Sequence, residues 1–161
     1  MNSIHIEPID LDDRSHARWL IELLEQYARD PMGGNNGLTR DARERLVPAL
    51  RKVPGYQGAL AFVGEEPVGL INCFTGFSTF AARPLLNVHD IFVCRERRGQ
   101  GVARTLLDWA QQLAATLHCC KVTLEVLSNN RPALRVYERA GYKPYMLDPV
   151  GGKALLLQKI L

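Results

Sequence analysis

The sequence predicts a mixed α/β fold, with a central sheet of about seven strands flanked by about four helices. Three observations predict it. Apolar residues recur at period two in short runs and at helical period in longer ones, and the two patterns alternate along the chain. Breaks rich in Gly, Pro and Asn separate the runs. The 161 residues, 47% apolar and 23% charged, have the size and make-up of one domain with a substantial core.

Ser3 to Ile9 sets Ile4, Ile6 and Ile9 against His5 and Glu7 and predicts a first strand. Asp10 or Asp12 is the expected cap of a helix over Asp12 to Arg29, where Leu20, Leu23, Leu24 and Tyr27 share one face. Asp30-Pro31 stops it. The stretch Asp30 to Leu38, with Gly33, Gly34, Gly37 and two asparagines, is a surface loop: either a plain connector or a segment that admits substrate. Thr39 can cap a second helix carrying Ala42, Leu46 and Leu50, with Pro48 expected to kink it or delay its start. Gly58 to Val63 and Val68 to Phe77 predict a hairpin closed by Gly64-Glu65-Glu66-Pro67. After a loop at Ser78 to Pro84, Leu85 to Cys94 predicts a mostly apolar, central strand. A glycine turn follows, then a helix over Val102 to Leu117 with a buried stripe of Val102, Leu106, Ala110, Leu113 and Leu117. Lys121 to Leu127 predicts a strand, and Asn130 to Ala140 a short helix with Pro132 in its first turn and Gly141 at its end. Tyr142 to Met146 and Ala154 to Ile160 predict two closing strands around a turn at Gly151-Gly152.

Bulk properties exclude several function classes. The net charge is only +3, and the basic excess is local, at Arg95, Arg97 and Arg98, so no nucleic-acid partner is expected. The four cysteines, Cys73, Cys94, Cys119 and Cys120, form no Cys-x-x-Cys pair. Buried free thiols in a reducing compartment are expected, and no metal. Met1 to Asp10 is polar without a signal-peptide pattern, and no run approaches the roughly 20 apolar residues that span a bilayer. The expectation is a cytoplasmic protein with no membrane partner.

The chemistry concentrates at Arg98-Gly99-Gln100-Gly101-Val102-Ala103. A strand, a short basic glycine turn and a helix start make an anion cradle, because successive N–H groups and the helix dipole point at one phosphate. A dinucleotide fingerprint, G-x-G-x-x-G, is the obvious competitor; Gly99 and Gly101 match it, but Arg104 stands at the third glycine. A Walker loop fails, since no Gly-Lys-Ser/Thr is present.

Two blocks together carry a resemblance. Arg98, Gly101 and Ala103 satisfy Gln/Arg-x-x-Gly-x-Gly/Ala, with a further glycine at Gly99. Downstream, Asn130 stands seven residues before Tyr137, which is followed by Gly141-Tyr142. In these blocks, and in the element order over nearly the whole chain, the sequence resembles the GCN5-related N-acetyltransferase (GNAT) superfamily. The resemblance implies the GNAT acyl-CoA N-acyltransferase fold and acetyl transfer from acetyl-CoA, by direct attack in a ternary complex, to a primary amine of a small molecule (polyamine-like or amino-acid-like) or of a protein. The family's habit suggests a homodimer.

Under that resemblance, the N–H groups of Gly99, Gln100, Gly101, Val102, Ala103 and Arg104 would bind the coenzyme pyrophosphate. Arg98 would reach a phosphate or fold back on the loop. Ile91, Phe92 and Val93 would pair with the pantetheine arm, in a gap between their strand and Lys121 to Leu127. Asn130, beside Pro132, would bond the pantetheine or cap its own helix. Tyr137 is implied as the acid that protonates the leaving thiolate; as a residue alone it could equally be core.

An amine with pKa near 10.4 is neutral in only on the order of one molecule in a thousand at pH 7, so a base is required. His89-Asp90 stands in the strand before the turn, where Val88-His89-Asp90-Ile91-Phe92-Val93 looks like the matching strand of diamine acetyltransferases. Those carry a Glu-Asp pair there. His89 in place of the glutamate is a base suited to neutral pH, or part of a structural pair with Asp90. The different class of reading is a catalytically silent module that binds or senses acyl-CoA.

Overall fold

The structure, a computed structural model, describes residues 3–146, 150 and 154–161. Its elements run β1 (Ile4–Pro8), α1 (Arg14–Arg29), α2 (Arg40–Leu50), β2 (Tyr56–Val63), β3 (Glu66–Ser78), β4 (Arg83–Val93), a single 3-10 turn (Arg95–Arg97), α3 (Val102–Thr116), β5 (Val122–Leu124) and α4 (Arg131–Arg139). The five strands form one sheet in sequence order. β1 to β4 pair antiparallel, and β5 joins β4 in parallel after the α3 crossover. This is the expected mixed α/β class and helix count, with five strands among the described residues instead of about seven. Residues 142–146 and 154–161 carry the apolar spacing of strands but join no ladder among the described residues, and Leu155, Leu156, Leu157 and Ile160 are exposed. Period-two spacing makes a strand only where a neighbouring ladder takes up the backbone groups. The turn expected at Gly151-Gly152 lies outside the described residues.

Two cores hold the sheet, one on each face. On one face α3 lays Val102, Leu106, Ala110 and Ala114 against Ala59, Ala61, Ile71, Leu86, Val88 and Val93. On the other, Leu20 and Leu23 of α1 and Val47 and Leu50 of α2 cover Leu60, Phe62, Leu70 and Phe92. Each fully buried leucine contributes about 1.5–3 kcal/mol, which fixes these helices against the strands that bear the site. Gly69 lets α3 come close: a Cβ there would lie 2.8 Å from the Phe92 carbonyl oxygen and 3.3 Å from Val102.

The ends of the helices have local causes. Asp13, not Asp10 or Asp12, caps α1, accepting from the N–H groups of Ser15 (2.7 Å) and His16 (3.1 Å). The Asp10 carboxylate instead accepts the Asp12 N–H at 2.9 Å, rounding the turn ahead of the cap. Thr39 caps α2 as expected, and the helix runs through Pro48, which falls in its last turn. Gly141, with φ 92°, closes α4 through its N–H to the Glu138 carbonyl at 3.0 Å. Of the four free cysteines only Cys73 is fully buried; Cys94, Cys119 and Cys120 are half-buried, near the surface ends of their elements. Among the described residues no helix is long and apolar enough to cross a membrane.

Candidate active site

The site has two parts that meet on β4. The first is the turn between β4 and α3. Gly99 (φ 76°) and Gly101 (φ 91°) hold left-handed backbone that other residues enter only with strain. Gly101 is the N-cap of α3 and no side chain caps that helix. The first-turn N–H groups, which have no intrahelical acceptor, therefore face outward at the positive end of the helix dipole. The Gln100 amide donates to the Glu96 carbonyl at 3.0 Å and closes the turn.

The arginines around the turn are engaged by the protein. Arg98 donates to the Val93 carbonyl at 3.0 Å and to Asp30 at 2.8 Å. Arg104 donates to Asp108 at 2.8 Å and to the Arg139 carbonyl at 3.0 Å, fastening the end of α4 to α3. Arg97 pairs with Glu66. The turn thus offers an anion its backbone, with the arginine side chains fixing its shape.

The second part begins with the pairing of β4. Its parallel ladder to β5 runs from Leu86↔Val122 to Val88↔Leu124 and stops there. From His89 to Val93 that edge of β4 has no strand partner among the described residues, although the Val93 carbonyl accepts from Arg98; this is the gap expected beside Ile91, Phe92 and Val93. On its other side, β4 matches Asp90 with Asn72 and Val88 with Cys73, so His89 is an extra residue, a β-bulge. Leu86 and Val88 point to the α3 face, and so do Ile91 and Val93. The bulge absorbs the missing step, and His89 and Asp90, though consecutive, both line one cavity on the α1–α2 face.

That cavity, of about 370 Å³, is walled by Leu24, Tyr27 and Ala28 of α1, Gly33 and Leu38 of the following loop, Leu46 and Leu50 of α2, Asn72 and Phe74 of β3, and His89 and Asp90. His89 stands edge-on to Phe74, ring centroids 5.5 Å apart. The Tyr56 hydroxyl donates to Asn72 Oδ1 at 2.9 Å, and Asn72 Nδ2 donates to Asp90 at 3.0 Å. Asn72 is only 3% exposed, and this chain satisfies both ends of its amide while aiming Asp90.

Tyrosines surround Asp90. Burial pushes the phenol of Tyr56 well above its ordinary range, with Asp90 and Cys73 adding to the shift. Burial also raises Tyr27, with Asp90 and then Asp30 contributing. On α4, Tyr137 is 9% exposed and packs edge-on to Tyr142 at 6.1 Å. Burial, with Tyr27 and Tyr142 nearby, pushes its phenol up to about 12. Tyr137 is therefore a neutral O–H donor near neutral pH. Asn130 caps α4, its Oδ1 accepting the Ala133 N–H at 3.2 Å, with Pro132 in the first turn.

The loop walling the cavity is pinned at both ends. Asp30 accepts Arg98 and the Met32 N–H (2.9 Å). Burial works against its charge, but Arg98, Met32 and Arg95 together hold its pKa below the usual value. At the far end Glu25 accepts the Leu38 N–H (2.8 Å) and pairs with Arg29 and Arg43. Chiefly through Leu38 and then Arg29, its carboxyl is held down at about 2.

Of the residues expected from sequence, His89 and Asp90 share the cavity, and the Asp30 to Leu38 loop contributes two wall positions. Tyr137, on α4, is not among the residues that wall the cavity. Phe77 and Phe80 are exposed, and the Ser78 to Pro84 loop does not line the cavity. Sequence reasoning missed Asn72, Tyr56, Tyr27 and Glu25. Asn72 had a signal, a polar residue inside the apolar run Val68 to Cys73; Tyr27, on the helix's apolar stripe, had none.

The acetyltransferase (GNAT) family model matches residues 37–142. A thialysine N-epsilon-acetyltransferase of Caenorhabditis elegans is 31% identical over 127 residues, covering 79% of this chain and 77% of that protein. A streptothricin acetyltransferase of Escherichia coli is 30% identical over 82 residues, 51% of this chain and less than half (44%) of its own length. Among solved structures, a probable acetyltransferase superposes with TM-score 0.79 at 24% identity, over 97% of this chain and 99% of that one. The aminoglycoside acetyltransferase AAC(6')-Iy, in complex with a CoA-linked bisubstrate analogue, superposes with TM-score 0.76 at 15% identity over 99% of each chain. At these identities the structural matches bear on the fold alone. The matched model, spanning most of the chain and both motif blocks, shows that the chain belongs to the acetyltransferase (GNAT) family and is an acyltransferase.

Proposed function

We propose that the chain transfers the acetyl group of acetyl-CoA to a primary amine of a small molecule or a protein, with both substrates held at once. The observation that carries this is the sharing of one strand segment: His89 to Val93 has a free edge ending at the glycine turn, while its bulge opens onto the amine-sized cavity. The residues fit the coenzyme. The uncapped N–H groups of Gly99 to Arg104 would hold the pyrophosphate, the free edge at Ile91, Phe92 and Val93 would pair with the pantetheine amides, and Asn130 and Pro132 would flank the arm. Bound there, acetyl-CoA supplies a thioester carbonyl open to attack by an amine.

The protein's part is to place the amine and move two protons. Asp90, steadied by Asn72, would draw the ammonium to the bulge. His89, in the same cavity, would take its proton directly or through water, since a base is needed near neutral pH. The C–N bond forms as the C–S bond breaks; Tyr137, a neutral phenol at pH 7, would donate its proton to the leaving sulfur, and the second amine proton, lost as the amide forms, would return through water to the Tyr137 oxygen. A strand N–H on the thioester oxygen would stabilise the charge that develops there.

The test is thiol release from acetyl-CoA across an amine panel. Tyr137→Phe is expected to lower kcat about 10²-fold, the lower range for a lost general acid, with the acetyl-CoA Kd unchanged by calorimetry. Unchanged turnover would remove Tyr137 from the acid role. Coenzyme binding with no turnover on any amine would mark a silent binding module.

A further inference from the structure

We infer that the acceptor is a primary amine on an uncharged, largely apolar body, with no second cationic group and no acidic one. This rests on the acetyl-transfer reading above and narrows it. Most of the cavity wall is apolar or aromatic: Leu24, Tyr27, Leu38, Leu46, Leu50 and Phe74. Among the described residues lining it, Asp90 is the one carboxylate, and no lysine or arginine is present. Asp90, which also accepts from Asn72 through Oδ2, carries a single negative charge, enough to balance one ammonium and not several. Asn72 is neutral and adds no charge to meet a second ammonium.

The two nearby acids outside the wall do not supply the missing charge. Glu25 is held by Arg29 and Arg43, and Asp30 by Arg98. A polyamine or aminoglycoside would bring further ammonium groups out of water with no carboxylate to meet them, and an amino acid would bring a carboxylate with no cation. An aryl or alkyl body, by contrast, gains from the leucine and aromatic surface. The cavity volume suits a molecule at the small end of ligand size.

The experiment measures kcat/KM by thiol release for 2-phenylethylamine, spermidine, an aminoglycoside, free lysine and a lysine peptide. The expected result is a value for 2-phenylethylamine at least about tenfold above each of the others, the worth of one charged group left unpaired. A smaller margin, or a polycation, amino acid or peptide in first place, would overturn the inference and leave acetyl transfer standing. Bound acetyl-CoA with no thiol release from any amine would overturn the acetyl-transfer reading and this inference with it. Leu46→Glu adds a second carboxylate to the wall and is expected to narrow the 2-phenylethylamine to spermidine ratio. An unchanged ratio, in a variant whose melting curve shows it folded, would mean that the acceptor does not sit in this cavity.

Discussion

The glycine turn and the acceptor cavity lie at two ends of one stretch of β4, yet they are made of different material. The turn is contiguous, Arg98 to Arg104, and offers backbone N–H groups set by two left-handed glycines and an uncapped helix start. The cavity is assembled from side chains on α1, a loop, α2, β3 and β4, spread between Leu24 and Asp90. A backbone site is encoded where it stands. A side-chain site is encoded wherever the fold gathers it. The two should therefore fail differently when they are mutated.

The largest separation is expected from Gly101→Val. The left-handed conformation at φ 91° costs a non-glycine residue roughly 1–2 kcal/mol, most for a branched one. The turn would relax away from it, and coenzyme binding would have to restore it. Titration calorimetry should show the acetyl-CoA Kd raised about tenfold or more, with the acceptor KM at saturating coenzyme nearly unchanged. A Kd equal to wild type would mean that the turn is not the phosphate cradle.

The opposite pattern is expected from Asn72→Leu, which touches only the cavity. It strips the Tyr56 hydroxyl and Asp90 of their shared partner. A buried polar group left unpaired costs about 1–3 kcal/mol, so the melting temperature should fall by several degrees. The acceptor KM should rise while the acetyl-CoA Kd holds. If both constants moved together, the two halves of the site would be one cooperative unit and the contrast between them would be lost.

The same contrast explains what the sequence disclosed. The glycines, the Asn130 cap, Pro132 and Gly141 act within a few residues of themselves, and local spacing was enough to find them. The bulge at His89 left a trace too, because Leu86 and Val88 keep one phase and Ile91 and Val93 another. Read as a continuous strand, that phase slip was overlooked, and with it the reason why His89 and Asp90 share a face. Tyr27 left no trace. Its spacing is that of a core residue, and only the packing of α1 across β4 brings it beside Asp90 and Tyr137. The last two expected strands failed for a related cause: their apolar spacing says what could pair and not whether a partner ladder is in reach.

Arg98 crosses the boundary between the two regions. It belongs to the glycine turn in sequence, but its guanidinium reaches Asp30, the first residue of the loop that walls the cavity. Partly exposed pairs contribute modestly, so Arg98→Ala is expected to raise the acceptor KM a few-fold through loosening of the loop. The acetyl-CoA Kd should change less. Asp30→Asn should reproduce the acceptor effect, and the double variant should add little to either single one. A rise in coenzyme Kd alone, unmatched by Asp30→Asn, would instead assign Arg98 to the phosphate.

The smallest effect is expected at the loop's other anchor, where pH supplies the readout. The Glu25 carboxyl is held at about 2 in the fold, well below the ordinary glutamate range. A depressed carboxyl pKa stabilises the folded state fully above the unfolded value, and the contribution fades as pH falls toward the folded one. Wild type should therefore melt above Glu25→Gln at pH 7, with the gap closing as pH drops from about 5 toward 2, where the wild-type carboxylate is itself protonated. The acceptor KM of Glu25→Gln should rise slightly at pH 7, because Leu38 loses a charged acceptor for its N–H, and the coenzyme Kd should stay fixed. A melting gap that persisted unchanged at low pH would show that Glu25 acts by shape and not by charge. Asp30 would then be the loop's one charge-dependent anchor.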